Sequence, residues 1–412
     1  MKSRFLMCFA ALTLFAATVS LAAQGQRKKH VQYTVTDLGT LGGSFSEPHG
    51  INKRDWIVGA STTEGDLELH AFLWRHGMMT DLGTLGGPNS IAGTLAEDAK
   101  NGQIPGLAET STLDPLGEDF CGFGTHLICL AFLWQDGVMN PLPAAGGNNS
   151  IGAEVNRRGQ VVGTTENNTP DPTCPPPQVL QIVGAIWRNG QIEQQLPPSP
   201  GDSAAAAQAI NDHGHATGST GLCFPSRAVL WRDGQVIDLG NLGSTFFNAP
   251  FDINNRDEVV GQANLPGDQV QHAFLWTKKT GMQDLGTLPG DPNSSTESIN
   301  NKGQIAGVSY VAPGNGRAFL WEDGVMTNLN TLACPGSIYL ANALDINDEG
   351  QIVGDSILSN GDIHAYLATP TDVCERKRGS SPHGSEGQPV ISPNIQKLLQ
   401  HRARYAGIAT DR

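Results

Sequence analysis

Charged residues, aromatic residues and the signatures of common catalytic sites are all scarce in this 412-residue chain. Only 16% of the residues are charged and 6% are aromatic. The chain has no Gly-x-Ser-x-Gly, His-Glu-x-x-His, phosphate-binding Gly loop or Asp-x-Asp-x-Asp-Gly calcium loop. Lys and Arg number 26 against 40 Asp and Glu, which argues against a nucleic-acid partner because neutralising phosphates takes a basic surface.

Glycine dominates the composition that remains. Fifty Gly and 25 Pro accompany only 39% hydrophobic residues, whereas helix-rich enzymes usually contain more Leu, Lys and Glu. This balance is typical of many short strands joined by tight turns. At this length we expect two or three ordinary domains or one large repeat architecture.

The chain has one long hydrophobic run, at its beginning. Residues 1–22 read as a secretory signal peptide, with Lys2 and Arg4 before the apolar run and a cut predicted between Ala22 and Ala23. An uncleaved N-terminal anchor is the alternative, because the run is nearly long enough to span a bilayer. No other segment is apolar enough to cross a membrane, so we expect a secreted protein, extracellular or periplasmic.

A short sequence motif recurs along the chain. A run such as His-Ala-Phe-Leu-Trp occurs in seven copies. The last residue of each copy, which we call its anchor, lies 60, 53, 44, 45, 45 and 47 residues after the preceding one. The anchors of repeats 1 to 7 are Trp74, Trp134, Trp187, Trp231, Trp276, Trp321 and Ala368. A period in the mid-forties is the length of one four-stranded propeller blade.

Each repeat contains four strand-like segments and one recurrent turn. The turn begins with Asn and ends with Gly or Asp, residue types that tolerate the left-handed conformation of a hairpin turn. Its copies occupy residues 52–55, 156–159, 211–214, 254–257, 300–303 and 347–350. The fourth, outer strand reads Asp-Leu-Gly-Thr-Leu at residues 81–85 and 284–288, and nearly so at 238–242.

The strand count predicts a closed ring. Repeat 7 lacks its own fourth strand, but residues 33–43 at the start of the chain are an orphan copy of that strand. We therefore predict an all-β fold, a seven-bladed β-propeller over residues 33–370 whose last blade is closed by the N-terminal strand. Residues 23–32 are then a linker.

The repeats resemble the HAF-repeat family of extracellular bacterial proteins, through the His-Ala-Phe runs at residues 70–72 and 272–274. The resemblance covers about residues 33–370 and is weakest in repeats 2 and 3. In repeat 2, Ala99 replaces the turn Asn and Pro105 lies inside the second strand. The family implies export and a repeat fold, and it implies no established activity or functional residues.

Two sets of repeated side chains invite a functional interpretation. His70, His272 and His364 begin the third strands of repeats 1, 5 and 7. Such a set resembles metal ligands, but these residues should lie far apart, so we expect each to hydrogen-bond a loop carbonyl. The repeated Trp residues should pack against neighbouring blades, where Trp→Ala would cost about 3–5 kcal/mol; binding of sugars by exposed rings is the alternative.

A third set is acidic. Glu154, Asp252 and Asp345 precede the turn motif at the end of the innermost strand, and a looser alignment adds Glu97 of repeat 2. Equivalent strand positions lie at one height, so these carboxylates could line the channel and recruit calcium. The alternative is that each carboxylate binds backbone amides of its own blade. The calcium interpretation predicts a calcium-dependent rise in melting temperature that Asp252→Asn abolishes.

Two long loops, between the second and third strands of repeats 2 and 3, distinguish one face of the predicted ring. They span residues 109–127 and 165–181, and they contain the candidate ligand-binding residues Glu118, Asp119, Glu166 and Asp171. Loops on a rigid scaffold are where function concentrates, although tolerated insertion is an equal alternative.

Six cysteines remain after signal cleavage, which is compatible with three disulfides in an exported chain, although six cysteines allow 15 pairings. No CxxC pair is present. Loop equivalence makes Cys174–Cys223 the first candidate pair, followed by Cys121–Cys129 and then Cys334–Cys374.

The C-terminal residues 371–412 leave the repeat pattern. They contain seven basic and four acidic residues, whereas residues 23–370 carry a charge of about −19. A linker and a short basic amphipathic helix over residues 394–405 are predicted, either a frayed end or an attachment segment.

These observations lead to one preferred function and two alternatives. We expect a monomeric exported scaffold that binds an extracellular ligand or protein through its loop-rich face, without catalysis and without a cofactor other than the calcium considered above. The first alternative is a propeller-type hydrolase or lyase acting on an extracellular polymer, with channel carboxylates in acid–base roles. The second is a structural surface or adhesion protein.

Overall fold

The computed structural model describes residues 31–98, 102–224, 226–312 and 314–374. The predicted signal peptide, the C-terminal helix over residues 394–405 and the turn position Ala99 lie outside these residues. Within them the chain forms 29 β-strands and one three-residue 3-10 helix, η1. No helix among the described residues is long and apolar enough to cross a membrane.

The first strands of the chain are β1 (Gln32–Asp37), β2 (Gly42–Ile51), β3 (Ile57–Thr63), β4 (Leu69–Arg75) and β5 (Met78–Asp81). Repeats 2 and 3 supply β6 (Gly86–Ala92), β7 (Ile104–Leu113), β8 (Leu127–Gln135), β9 (Val138–Pro141), β10 (Gly146–Val155), β11 (Gln160–Pro170), β12 (Leu180–Arg188) and β13 (Gln191–Leu196). Repeats 4 and 5 supply β14 (Ala204–Ile210), β15 (Ala216–Gly221), β16 (Arg227–Arg232), β17 (Gln235–Asp238), β18 (Asn248–Ile253), β19 (Val259–Asn264), β20 (Gln271–Thr277) and β21 (Gly281–Asp284). Repeats 6 and 7 supply β22 (Asn293–Ile299), β23 (Ile305–Tyr310), β24 (Gly316–Glu322), β25 (Val325–Asn328), η1 (Leu329–Thr331), β26 (Tyr339–Leu340), β27 (Asp345–Ile346), β28 (Ile352–Ile357) and β29 (Ile363–Thr371).

The strands of the described residues pair into five four-stranded antiparallel sheets and one nine-stranded sheet. The five smaller sheets are repeats 2 to 6, each in the order first, second, third and fourth strand. The nine-stranded sheet contains β2 to β5 of repeat 1, β26 to β29 of repeat 7 and the N-terminal strand β1. A single parallel bridge between Phe45 and Ile363 joins the strands of repeat 1 to those of repeat 7. The sequence of up-and-down sheets is that of a β-propeller, so the predicted all-β propeller fold is confirmed.

The predicted pairing between the two ends of the repeat region is present. Strand β1 runs antiparallel to β29, with Tyr33 opposite Pro370 and Asp37 opposite Tyr366. Tyr33 is also hydrogen-bonded on its other side, because its N–H donates to the carbonyl of Leu332 at 2.9 Å. The N-terminal strand therefore lies between the last strand and the connection that leads into repeat 7.

One recurrent kind of hydrogen bond joins several repeats to the next repeat. A Ser hydroxyl on the innermost strand accepts the N–H of the Ala in the preceding repeat's His-Ala-Phe position, at 2.8–2.9 Å. These donor–acceptor pairs are Ala71–Ser90, Ala131–Ser150, Ala273–Ser294 and Ala365–Ser46. The last pair joins repeat 7 to repeat 1 just as the others join sequential neighbours.

The core lies between the sheets, in a series of small apolar clusters. One cluster combines Trp187 with Leu142 of the preceding repeat, and another combines Trp231 with Leu196 in the same way. Pro105 is accommodated in β7 opposite Leu133. The turn residues predicted to be left-handed are so, with φ of 58° at Asp55 and 83° at Gly214.

Candidate functional site

The two faces of the sheet array differ in their connections. Because strand direction alternates, the loops between second and third strands lie on the same side as the connections between repeats. We call this side the loop face. The opposite side, the turn face, carries the Asn turns and the hairpins between third and fourth strands.

The predicted channel carboxylates lie at equivalent positions near the turn face. Glu154, Asp252 and Asp345 line one small cavity of about 80 Å³ with the ends of the other innermost strands. Glu97 does not share their strand position, because Thr94 of repeat 2 bridges to Glu154 instead. The looser alignment was therefore wrong: Glu97 lies three residues further along, where its carboxylate accepts the N–H groups of Lys53 and Asp348.

Each channel carboxylate is held by backbone N–H groups. Glu154 accepts from Ile210 at 2.8 Å, Asp252 from Ile299 at 2.7 Å and Asp345 from Ile51 at 2.7 Å, all in the following repeat. Asp252 and Asp345 also accept the N–H of the next residue in their own strand. The carboxylates therefore bind backbone amides, as the alternative interpretation expected. They do so in the following repeat as well as, for Asp252 and Asp345, in their own.

Burial perturbs the protonation of this group. It raises the pKa of Asp345 to about 7, assisted by the charge of Asp252, and it raises the pKa values of Asp252 and Glu154 as well. The hydroxyl of Ser298 lies 2.9 Å from Asp252 Oδ2 and 2.6 Å from Asp345 Oδ1. A hydroxyl has one hydrogen to donate, so one of these two contacts requires a carboxyl proton.

The calcium interpretation finds no preformed ligand set. Among the described residues, no group of three or more His, Cys, Asp or Glu side chains is arranged to hold a metal ion. Both oxygens of Asp252 and of Asp345 already accept hydrogen bonds, as described above.

The three equivalent histidines are separate from one another, as expected, but the partner of each Nδ1 differs from the expected loop carbonyl. Each Nδ1 lies against an Asp carboxylate of the outer strand rather than a loop carbonyl. The pairs are His70–Asp81 at 2.8 Å, His272–Asp284 at 2.9 Å and His364–Asp37 at 2.9 Å. The hydrogen bond that Asp81 accepts from His70 raises the pKa of His70, and a backbone hydrogen bond with Pro88 adds to the rise. These residues hold the outer strand to the third strand.

The repeated Trp residues have a packing role where they are most buried. Trp187 is fully buried, and its indole N–H donates to the carbonyl of Pro143 in the preceding repeat at 2.8 Å. Trp231 makes the equivalent bond to Pro197. A ring held in this way offers no face to a sugar.

All three predicted disulfides are present, namely Cys121–Cys129, Cys174–Cys223 and Cys334–Cys374. The second joins the long loop of repeat 3 to the corresponding loop of repeat 4. The third joins the connection before repeat 7 to the residues that follow β29.

Three of the four candidate ligand-binding residues of the long loops are buried, and the fourth, Asp119, is partly exposed. Glu118 and Glu166 are fully buried, and Asp171 is 6% exposed. Asp171 binds Thr173 and Ser203, and Asp119 accepts the N–H of Gly124. These side chains hold the loops in shape, so a ligand on this face must meet other residues.

Those other residues are apolar. Six exposed large hydrophobic side chains lie on the loop-face loops of repeats 2 to 4 and on the connection from repeat 4 to repeat 5, and we call them the loop ridge. They are Leu113, Leu116, Val179, Leu222, Phe224 and Phe246. Phe246 is 71% exposed and Phe224 is 56% exposed. The sequence interpretation missed these residues because it searched the loops for chemically reactive side chains.

The loops that carry the ridge are fastened together in series. Glu118 binds the N–H groups of Val179 and Leu180, which joins the repeat 2 loop to the repeat 3 loop. The Cys174–Cys223 disulfide continues the chain of contacts to repeat 4. The N–H of Asn248 then donates to the carbonyl of Ser226 at 2.8 Å, which reaches the connection that carries Phe246.

The turn Asn has a role that the sequence interpretation did not assign. In Asn211, Oδ1 accepts the N–H groups of His213 and His215, while Nδ2 donates to the carbonyl of Asn254 in the next repeat. The Nδ2 atoms of four other turn residues donate in the same way to the next repeat, namely those of Asn156, Asn254, Asn300 and Asn347. The recurrence of Asn at one position was the available signal.

No protein-family model matches the chain, and no curated protein matches it in sequence. Solved structures similar to it include the β-propeller domain of the trilobed protease from Pyrococcus furiosus, at 8% identity and a TM-score of 0.48, covering 84% of this chain and 100% of that one. A gluconolactonase from Xanthomonas campestris is 11% identical with a TM-score of 0.37, covering 83% and 96% of the two chains. Dipeptidyl peptidase 4 from Porphyromonas gingivalis is 10% identical with a TM-score of 0.35, covering 86% and 53%. At these identities and scores no activity transfers to this chain, and the assignment of the fold rests on its own strand pairing.

Proposed function

We propose that this protein is an exported, closed seven-bladed β-propeller that binds an extracellular partner through the loop ridge and does not catalyse a reaction. The observation that carries the proposal is the ridge itself. Exposed apolar side chains gathered on one side of a domain mark interaction surfaces, and these six lie on loops fastened by a disulfide and by buried hydrogen bonds.

Support for seven blades comes from the two junctions of repeat 7. The hydroxyl of Ser46 accepts the N–H of Ala365, and Asn347 Nδ2 donates to the carbonyl of Asn52 at 3.3 Å. Both are the bonds that connect sequential repeats elsewhere. A ring of seven sheets, with β1 as the fourth strand of the last, accommodates both of these bonds. The Asn bond is missing where repeat 2 lacks the turn Asn, so Asn52 Nδ2 has no hydrogen-bond partner among the described residues.

Export is supported by the cysteines. Disulfides form and persist in oxidising compartments and are rare in the cytosol. All six cysteines of residues 23–412 are paired, which agrees with the signal peptide expected over residues 1–22.

The polymer-cleaving alternative has less support. A general acid or base must reach the proton that it transfers, whereas the oxygens of Asp252 and Asp345 are occupied by backbone N–H groups and by Ser298. The acidic cavity is small, at about 80 Å³. These residues bind the repeats together, and that role accounts for their position.

A matched pair of triple variants tests the proposal. The ridge variant carries Leu222→Ser, Phe224→Ser and Phe246→Ser. The control variant carries Met78→Ser, Val138→Ser and Val325→Ser, which are equally exposed apolar residues on hairpins of the turn face. Each purified mature protein is screened against arrays of glycans and extracellular peptides, and against the same ligands for turnover.

For any ligand that the wild type binds, the affinity of the ridge variant should be at least tenfold lower. The control variant should bind that ligand as the wild type does. Equal binding by both variants would place the binding surface elsewhere. Turnover of any bound polymer would replace the scaffold proposal with the enzyme alternative.

A further inference from the structure

Two glutamates meet beneath the loop ridge, where the long loops of repeats 2 and 3 join. Glu118 Oε1 accepts the N–H of Val179 at 2.7 Å and the N–H of Leu180 at 2.8 Å. It also accepts from Gln178 Nε2 at 3.1 Å. The repeat 2 loop is thus attached to the repeat 3 loop through one carboxyl oxygen.

Glu166 approaches the same amide from strand β11. Its Oε1 accepts from Gln178 Nε2 at 2.7 Å. Its Oε2 accepts from Asn149 Nδ2 at 3.0 Å, and from the N–H groups of Asn149 and Asn148 at 3.1 and 3.3 Å. The two carboxyl groups therefore converge on a single nitrogen atom, and both residues are fully buried.

No cation balances this pair. Neither carboxyl forms an ion pair with Lys, Arg or His within the described ranges. The titratable groups on the surrounding elements are Glu109 on β7, Asp114, Asp119 and His126 on the repeat 2 loop, and Asp171 on the repeat 3 loop. Asp114 is itself joined to Glu166, because Asn149 Nδ2 donates to both.

One oxygen of the pair shows where a proton belongs. Glu118 Oε2 is buried and receives no hydrogen bond from any N–H or O–H donor of the described residues. All donors to Glu118 approach Oε1, which is the pattern of a carboxylic acid whose carbonyl oxygen accepts and whose hydroxyl donates. Two buried negative charges without a cation are far more costly than one.

We propose that Glu118 and Glu166 share a single proton, and that loss of this proton separates the two loops and makes the loop ridge sensitive to pH. That this proton affects ligand binding rests on the proposed function. That it holds the two loops together does not. The proton belongs to the pair rather than to either residue. The protonated pair holds the ridge in the arrangement described above.

The direction of the pH effect follows from the site. Burial, reinforced by the neighbouring Glu118, raises the pKa of Glu166 to about 7. An unfolded glutamate titrates near 4.3, so the folded junction binds a proton that the unfolded chain has lost over the interval between these values. The junction is therefore intact at acidic pH and weakens as the pH rises past about 7.

Glu118→Gln tests the proposal with little change of shape. The amide oxygen of Gln can accept the three hydrogen bonds made to Oε1, and its NH₂ group can donate toward Glu166 as the shared proton does. Glu297→Gln is the matched control: Glu297 is also a buried glutamate, with a pKa raised by burial to about 6, but it lies in repeat 6 away from the long loops.

The measurement is amide hydrogen exchange at Val179 and Leu180 in the full mature chain, expressed as protection factors at pH 5 and pH 9. In the wild type and in Glu297→Gln, protection should fall at least tenfold at pH 9, while in Glu118→Gln it should remain as at pH 5. Unchanged protection in the wild type, or an equal fall in Glu118→Gln, would overturn the proposal. Because no ligand is involved, this result is independent of whether the ridge variants lose binding.

Discussion

His364 Nδ1 lies 2.9 Å from Asp37 Oδ1, although the two residues are 327 positions apart in the chain. The equivalent pair in repeat 1, His70 and Asp81, is formed within a single hairpin. One side-chain contact thus serves as an ordinary hairpin bond in repeat 1 and as a bond between the two ends of the propeller in repeat 7.

Asp37→Asn should therefore have a local effect that Asp81→Asn lacks. Burial raises the pKa of Asp37, but hydrogen bonds from His364 and from the N–H of Gly39 outweigh it and bring the pKa below its usual value. The contribution to stability is present above the unfolded pKa of about 3.9 and is lost as pH falls through the lower folded value. At pH 6 each variant should lose less than about 1 kcal/mol, because the side chains of Asp37 and Asp81 are 39% and 43% exposed and solvent weakens their ion pairs.

Hydrogen exchange distinguishes the two variants. Amides of β1 should exchange faster in Asp37→Asn and at the wild-type rate in Asp81→Asn. Faster exchange of β1 in both variants, or in neither, would show that the His364–Asp37 contact does not hold the N-terminal strand.

The Cys334–Cys374 disulfide should secure the same region. Its cysteines are 40 residues apart, and replacing both with Ser should lower the free energy of unfolding by about 3–4 kcal/mol through chain entropy. Cys174 and Cys223 are 49 residues apart, so the corresponding Ser pair should lose a similar amount. Limited proteolysis should distinguish the two double variants. New cleavage is expected near β1 in the first variant and in the loops of repeats 3 and 4 in the second. Identical fragments from both would contradict these assignments.

Trp187→Ala should be among the most destabilising single changes in the chain. The ring is fully buried between repeats and its N–H is bonded to Pro143, so the expected loss is about 3–5 kcal/mol. Trp74 occupies the same position in repeat 1 but is only half-buried, and Trp74→Ala should lose clearly less. Urea unfolding followed by far-ultraviolet circular dichroism measures both; equal losses would mean that burial between repeats does not set the cost.

The repeat period allowed much of this fold to be predicted. Strand order, the orphan strand within residues 33–43 and the Cys174–Cys223 disulfide follow from comparing equivalent positions, because most repeats make the same contacts as their neighbours. Repeat 2 broke the comparison. There Ala96, and not Ala99 as the sequence alignment had it, stands in place of the turn Asn, and Glu97 was consequently assigned to a strand position that Thr94 occupies.

Contacts that do not repeat could not be predicted in this way. The Glu118–Glu166 junction joins two insertions of different length, so no other repeat offers an equivalent pair. The inward direction of Asp171 likewise depends on Ser203, which belongs to the neighbouring repeat's connection. Period and pattern locate strands, whereas the interior of an irregular loop is decided by its particular neighbours.

Asp345→Asn should reduce the pH dependence of stability. The pKa of Asp345 is raised to about 7, mainly by burial, while an unfolded Asp titrates near 3.9. The folded state therefore binds more protons between these values, and the free energy of unfolding should fall as pH rises from 4 to 7. In Asp345→Asn this part of the slope should disappear, although stability at pH 4 drops because an amide has a single acceptor oxygen. Asp233→Asn, whose side chain is 81% exposed, is the control for removal of charge; a slope equal to the wild type's in Asp345→Asn would refute the assignment.

Calcium should not stabilise the channel mouth. The ion requires six to eight oxygen ligands, whereas Asp252 uses one oxygen for the N–H of Ile253 and the other for the N–H of Ile299. An ion at these oxygens would compete with the N–H groups that hold successive repeats together, and any N–H group that lost its acceptor would be buried without one. Millimolar calcium should leave the melting temperature of the wild type where millimolar magnesium leaves it, and Asp252→Asn should melt lower under both conditions. A rise specific to calcium that Asp252→Asn abolishes would instead establish a cation site among these carboxylates.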